Sequence, residues 1–345
     1  MRSSLILSAA IAVLSSSLVL HSEAQQLCNG YADLCAKTYE QVAYATTHNA
    51  YAYTPAGALA LNQNNDIPTQ LNDGVRALML DAYDTPSNNA NDIELCHTSC
   101  NLLDAGTLSK TLGQIKTFMD ANPNEVITIF WENAGNLTPA HFQTVYQAAG
   151  MSNYLYTQQE SAAAWPTLAT MISSGKRLVN FVDSGADASV PWLMAEYDFV
   201  FETPWQISKG AAYPCTVDRP KDQRKPMYVL NHFISGNLTV DGQQISIPQP
   251  GLASQTNGAD LVSHVNDCKT TFNQMPNFLA VDFYDNGTVF QTLASVNGVQ
   301  WDGKLPTQHK SGSTSGNGAA SAMSGVGAVS IGMVALTTVL GFLAL

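Results

Sequence analysis

His48-Asn49, Asp81, His97, Glu132-Asn133, Asp183, Glu202, Asn231-His232 and Asp282 share one property: each stands at the end of a short apolar, β-branched or aromatic run. Histidine changes charge near neutral pH, so a pair can take a proton at one point of a reaction and return it at another. Carboxylates nearby can orient such rings. A polar residue at a strand end also caps turns, so no single one of these is diagnostic. Their recurrence along the chain is what points to one chemically active mouth.

The runs that must carry them are Val42 to Thr46, Ala77 to Ala82, Ile93 to Cys96, Val126 to Trp131, Leu178 to Val182, Phe199 to Phe201, Tyr228 to Leu230 and Phe278 to Phe283. Near-continuous apolar character suits strands buried on both faces of a parallel sheet. Helical patterns follow several of them, at Leu108 to Asp120, Pro139 to Ala149, Trp165 to Ser174, Ala259 to Asn273 and Thr288 to Val296, with Thr138-Pro139 as a cap and first turn. This alternation predicts an α/β fold, an irregular (β/α)8 TIM barrel in a single domain, with chemistry at the strand ends. A doubly wound open sheet is the alternative. No Gly-rich phosphate loop follows an early strand, which weighs against it. Arg76 precedes the second run, which assigns it to the opposite end of the barrel as a structural ion pair.

The 345 residues carry 15 Lys+Arg against 27 Asp+Glu, a net charge of -12 that excludes the clustered basic surface a nucleic-acid partner needs. No signal for a protein partner or an oligomer is visible. Residues 1–24 read as a secretory signal peptide, cleaved after Ser22-Glu23-Ala24. The barrel domain then spans 25–310. A Ser/Gly-rich stalk follows at 311–325, and the apolar tail 326–345 has the form of a glycosylphosphatidylinositol (GPI) attachment signal. Asn317 is the expected attachment residue, with Ser315 and Gly318 as alternatives. The expected location is secreted, at the cell surface, anchored to the plasma membrane or wall. An even set of six cysteines fits three disulfides in that setting. The sequence favours Cys28 with Cys35 and Cys96 with Cys100, leaving Cys215 for Cys268, among about 15 conceivable pairings. Asn136, Asn237 and Asn286 each open an Asn-x-Thr sequon and are glycosylation candidates on surface loops.

The segments ATTHNAY, GVRALMLDAYD, ELCHTSC and ITIFWEN, in this order, resemble the catalytic X region of phosphatidylinositol-specific phospholipases C. The later KRLVNFVD, YVLNHFIS and NFLAVDFYDNG resemble the secreted fungal-type members of that phosphodiesterase superfamily, and the likeness covers most of Tyr39 to Asn297. It implies a phosphoric diester hydrolase in which His48 is the general base on the inositol 2-hydroxyl and His97 the general acid toward the leaving alkoxide. The product is then a cyclic phosphate. Asp282 matches the late carboxylate that holds the first histidine in one tautomer, with a turn cap as the competing role. Calcium-dependent relatives use an Asn, a Glu-x-Asp and a Glu for their ion, and here these positions read Asn49, Met79-Leu80-Asp81 and Glu132. A weak or substrate-assisted Ca²⁺ or Mg²⁺ site is therefore expected, since Met79 replaces a carboxylate, with a structural role for Asp81 and Glu132 as the alternative. Asp183, Asn231 and Tyr284 are placed to line a polyol pocket. The expected partners are a phosphoinositide or another phosphodiester and, through the GPI anchor, a membrane surface. Two alternatives stay open: a sphingophospholipid or glycerophosphodiester phosphodiesterase, and a non-catalytic surface binding protein on the same barrel.

Overall fold

The computed structural model describes residues 26–53, 60–84, 91–240 and 243–309. The expectations for 1–24, 311–325, 326–345 and Asn317 lie outside the described residues. Among the described residues no helix is long and apolar enough to cross a membrane.

The strands are β1 (Tyr44–Thr47), β2 (Ala77–Asp84), β3 (Ile93–Cys96), β4 (Asp104–Thr107), β5 (Ile127–Glu132), β6 (Leu178–Val182), β7 (Leu193–Ala195), β8 (Val200–Glu202), β9 (Met227–Asn231), β10 (Ser235–Val240), β11 (Gln243–Pro248) and β12 (Phe278–Val281). The helices are α1 (Ile67–Asp73), α2 (Leu108–Ala121), α3 (Pro139–Ala148), α4 (Leu168–Ser174), α5 (Glu196–Phe199), α6 (Ala253–Gln255), α7 (Leu261–Phe272) and α8 (Val289–Asn297). Eight parallel strands curl into the barrel in the order β7-β6-β5-β2-β1-β12-β9-β8, so β7 and β8 form its two edges. The barrel is irregular in a way the sequence did not specify. Ile93 to Cys96 was expected as the third barrel strand, but β3 pairs antiparallel with the far half of β2 and with β4, outside the parallel path. Its place in the count is taken by β7, only three residues long.

Local signals set the connections. Asp66 caps α1 by accepting from the Thr69 amide, and Gly74 ends it with φ +113, a left-handed turn that favours glycine. Thr138 caps α3 in the same way, with Pro139 in its first turn. Gly135 has no room for a side chain, since a Cβ there would sit 2.7 Å from the Asp84 amide nitrogen. That contact lays the loop after β5 against the end of β2.

The period of two along each strand then decides the core. One set of buried residues, including Tyr44, Ala77, Phe130, Val179, Phe181, Val229 and Phe278, packs together, while Ala45, Leu78, Ile129, Val182 and Leu279 join the cluster shared with the helices. Continuing the first parity by two residues at a time reaches His48, Asp81, Glu132, Asp183, Glu202, Asn231 and Asp282. Strand register keeps them level, with Asp81 opposite Glu132 and Ala280 opposite Asn231. Packing of the inner layer thus places the polar ends on one rim.

Three disulfides join Cys28 with Cys35, Cys96 with Cys100 and Cys215 with Cys268. His264 lies close to the last of these, but both sulfurs are already bonded to each other, so the group is not a metal centre. Two further histidines are anchored by backbone carbonyls. His141 Nε2 is 3.0 Å from the Asp92 carbonyl, and His309 stacks edge-on to Tyr31 while its Nδ1 lies 2.7 Å from the Gly30 carbonyl.

His232 is wholly buried, with Nε2 2.8 Å from the Thr256 carbonyl and Nδ1 2.9 Å from His264 Nδ1. The carbonyl requires a proton on His232 Nε2, so His232 Nδ1 accepts and His264 donates; both rings are neutral. Burial pushes His232 down to about 4 and His264 to about 3, with His232 adding to the effect on His264. Between those values and 6.5 the unfolded chain binds more protons than the folded one, so stability is lost as pH falls below 6.5. From pH 7 to pH 5 the expected loss is about 2 kcal/mol per histidine. Urea midpoints at the two pH values would read it, and an unchanged slope in His264→Gln would sink the assignment.

Candidate active site

The rim encloses a cavity of about 380 Å³ lined by residues from the ends of seven of the eight barrel strands or the loops beyond them, with β12 contributing through Asp282 behind His48. His48 follows β1 and His97 follows β3, and both face this cavity. His48 Nδ1 lies 2.9 Å from Asp282 Oδ1, and its ring stacks on Phe233 with centroids 3.8 Å apart and planes within 4°. Contact with the carboxylate puts the proton on Nδ1 and leaves Nε2 as the free lone pair. His97 is held differently. Its Nδ1 donates to the Ala60 carbonyl at 2.8 Å, and its Nε2 accepts from Asn49 Nδ2 at 3.3 Å. Burial lowers its pKa first of all and His48 adds to that, against the Ala60 carbonyl and Asp282.

Backbone geometry aims these groups. The residue after each is left-handed although none is glycine: Asn49 at φ +45, Thr98 at φ +62 and Phe283 at φ +49. Asparagine tolerates that region; threonine and phenylalanine do not without cost. The chain reverses at once after His48, His97 and Asp282, and the Cys96–Cys100 disulfide closes a short loop around His97.

Sequence reasoning missed Asn62, which joins the two histidines. It is 1% exposed, its Nδ2 donates to Asp282 Oδ1 at 2.8 Å, and its Oδ1 accepts from Asn49 Nδ2 at 3.3 Å. Its neighbour Gln63 donates to the carbonyls of His48 and Val281, fastening the ends of β1 and β12. The signal available in the sequence is the run Asn62-Gln63-Asn64-Asn65, an amide cluster.

Asn49, Asp81 and Glu132 all line the cavity, as does Met79. Burial, then Glu132, holds the Asp81 carboxyl well above the usual carboxylate range, with Tyr51 opposing and Asp183 adding to the rise. Glu132 has exposed surface, yet the cavity walls hold enough water off to raise it; Arg219 and His48 oppose that, and Asp183 and Glu202 add to it. A crowd of oxygen donors with unfavourable negative charge is what a hard divalent cation would relieve, so the residues fit the expected ion despite Met79.

Asp183 and Asn231 also line the cavity. Tyr284 does not. Its hydroxyl donates to Asp73 Oδ2 at 2.7 Å and accepts from Asn65 Nδ2 at 3.0 Å, so its expected place in the polyol pocket is corrected. That far wall instead holds Arg219, Glu196 and Glu202. Arg219 pairs with Glu202 at 2.7 Å, Asn231 Nδ2 donates to the same oxygen at 2.8 Å, and burial followed by Glu202 holds the Glu196 carboxyl well above the usual carboxylate range. Arg219 and Glu196 were missed because no local pattern links them to Glu202.

A curled α/β barrel with two histidines and a carboxylate-rich rim defines the class. The chain belongs to the PI-PLC X domain family, whose PI-PLC X 1 profile matches residues 34–297. It is 35% identical over 294 residues to an uncharacterized secreted protein of Arthroderma benhamiae, covering 80% of this chain and 65% of that one. It is 33% identical to PI-PLC X domain-containing protein 1 of the same fungus, covering 79% and 90%. The chain thus spans just under two thirds of the first relative and most of the second. The phosphatidylinositol-specific phospholipase C of Listeria monocytogenes superposes with a TM-score of 0.54 at 15% identity, covering 81% of this chain and 99% of that one, a likeness of fold.

Proposed function

We propose that the cavity cleaves a phosphodiester of inositol or a related polyol by internal transfer. His48 Nε2 takes the proton of a hydroxyl next to the ester, and that oxygen attacks phosphorus. His97 gives a proton to the departing alkoxide, and a cyclic phosphate remains. Asp282 holds His48 in the required tautomer and steadies its charged form. His97 enters the cycle after taking up a proton at Nε2, which requires Asn49 to release that atom. Asn49, Asp81 and Glu132 would hold Ca²⁺ or Mg²⁺, which when bound would offset phosphate charge. Asp183 and Asn231 would contact the polyol. The observation that carries this reading is His48, backed by Asp282, facing the same cavity as His97.

The test is incubation of the secreted protein with phosphatidylinositol and a panel of small phosphodiesters, with product analysis by phosphorus NMR. A cyclic phosphate is expected, and a chelator should lower turnover. Tight polyol binding by a folded protein without turnover on any ester would favour the binding protein instead.

The acid role also fixes a pH dependence. His97 must be protonated, and its pKa lies below 6.5. The expected kcat/KM therefore falls as pH rises through a value under 6.5, and His97→Gln should remove that limb. A flat wild-type profile from about pH 5 to 8 would contradict the assignment.

A further inference from the structure

All three sequons fall on the face of the barrel that carries the cavity. Asn136 follows β5, Asn237 lies in the hairpin after β9, and Asn286 lies in the loop after β12. The ends of those strands contribute Glu132 and Asn231 to the cavity wall, and Asp282 follows the third. Asn136 and Asn237 are exposed, and Asn286 is half-buried between the exposed Asp285 and Gly287.

The hairpin settles which way Asn237 faces. Ser235, Ser246 and Pro248 line the cavity, and the register pairs Ser235 with Pro248 and Asn237 with Ser246. Directly opposed residues of an antiparallel pair share a face. Asn237 is therefore on the cavity side of the hairpin, at its open edge.

A mouth that works on a flat bilayer presents apolar groups for insertion or cations for anionic headgroups. This cavity is lined by the carboxyls of Asp81, Glu132, Asp183 and Glu202 against Arg219. Among the described residues the large exposed hydrophobe is Val262, on α7 in the outer helical shell.

We infer that N-linked glycans at Asn136, Asn237 and Asn286 ring the mouth and hold it off a planar bilayer, so that its substrate is a phosphodiester arriving through water. The ring stands on the geometry alone; the word phosphodiester rests on the function proposed above. The modification needs an oligosaccharide on a polyprenyl diphosphate. A bond forms between the asparagine Nδ2 and the anomeric carbon as the sugar–diphosphate bond breaks, and the amide gives up one proton.

The test uses the chain made in a eukaryotic host and freed of any lipid anchor, so that sedimentation reports on the barrel face and not on the tail. Endoglycosidase release followed by peptide mass analysis reads occupancy, and all three sites are expected to be filled; a bare Asn237 overturns the inference. Co-sedimentation with phosphatidylinositol vesicles comes next. Protein that stays in the supernatant supports the inference, and protein that pellets overturns it, whether or not the preparation turns over any ester. Where it does, glycerophosphoinositol should be cleaved faster than vesicle lipid by about tenfold, equivalent to ~1.4 kcal/mol. Thr239→Ala, which removes the sequon and keeps Asn237, should narrow that ratio. Asn136→Asp and Asn286→Asp extend the comparison while sparing the Thr138 cap. Equal rates on both substrates by the fully glycosylated protein would again overturn the inference.

Discussion

Replacing His48 with alanine is expected to lower kcat by about 10² to 10⁴-fold, the usual weight of a positioned acid–base group. KM should move little, because His48 takes a proton and does not hold the headgroup. The loss should be specific to chemistry: His48 is partly exposed, with 20% of its side chain accessible, so its removal leaves no buried charge behind except Asp282, which still accepts from Asn62. Single-turnover measurement of cyclic product separates this from slow release. His48→Ala with undiminished turnover on the substrate cleaved by the parent protein would remove the proposed mechanism.

The largest stability effect should come from the opposite end of the barrel. Arg76 is 2% exposed, its Nε contacts Glu125 Oε2 at 2.7 Å, and its Nη1 donates to the carbonyls of Leu71 and Val75. The guanidinium also lies over the Phe118 ring, 5.1 Å from its centroid. It therefore joins α1, the start of β2 and the turn before β5. Arg76→Ala strips Glu125 of its partner while leaving it buried, at an expected cost of about 3–5 kcal/mol. Urea unfolding of the two proteins at pH 7 measures this directly. A loss under about 1 kcal/mol, typical of an exposed pair, would show that the site is solvated in practice.

The rim was legible because strand periodicity is local. Alternation along Phe278 to Phe283 already separates Asp282 from its neighbours, and the same holds for Asp81 and Glu132. Ile93 to Cys96 was misplaced for a complementary reason: a short apolar run reads alike in a barrel and in an antiparallel excursion, and its partner on β2 decides. Leu193 to Ala195 was too short to register. Tyr284 continued the inner parity, but the chain had left the strand and turned at Phe283. Asn62 and Arg219 act through partners far away in sequence, Asp282 and Glu202, and such contacts leave no trace in spacing.

The small loop closed by Cys96 and Cys100 has one more consequence. It holds Thr98 left-handed and His97 against Ala60, an arrangement that an open chain would have little reason to keep. Reducing surroundings would release it and scatter the acid of the proposed reaction. Chemical competence would then be conferred by oxidation after synthesis. On the proposed function, a newly made, still reduced chain would be harmless to the phosphodiesters of the compartment that made it, and export would act as the switch.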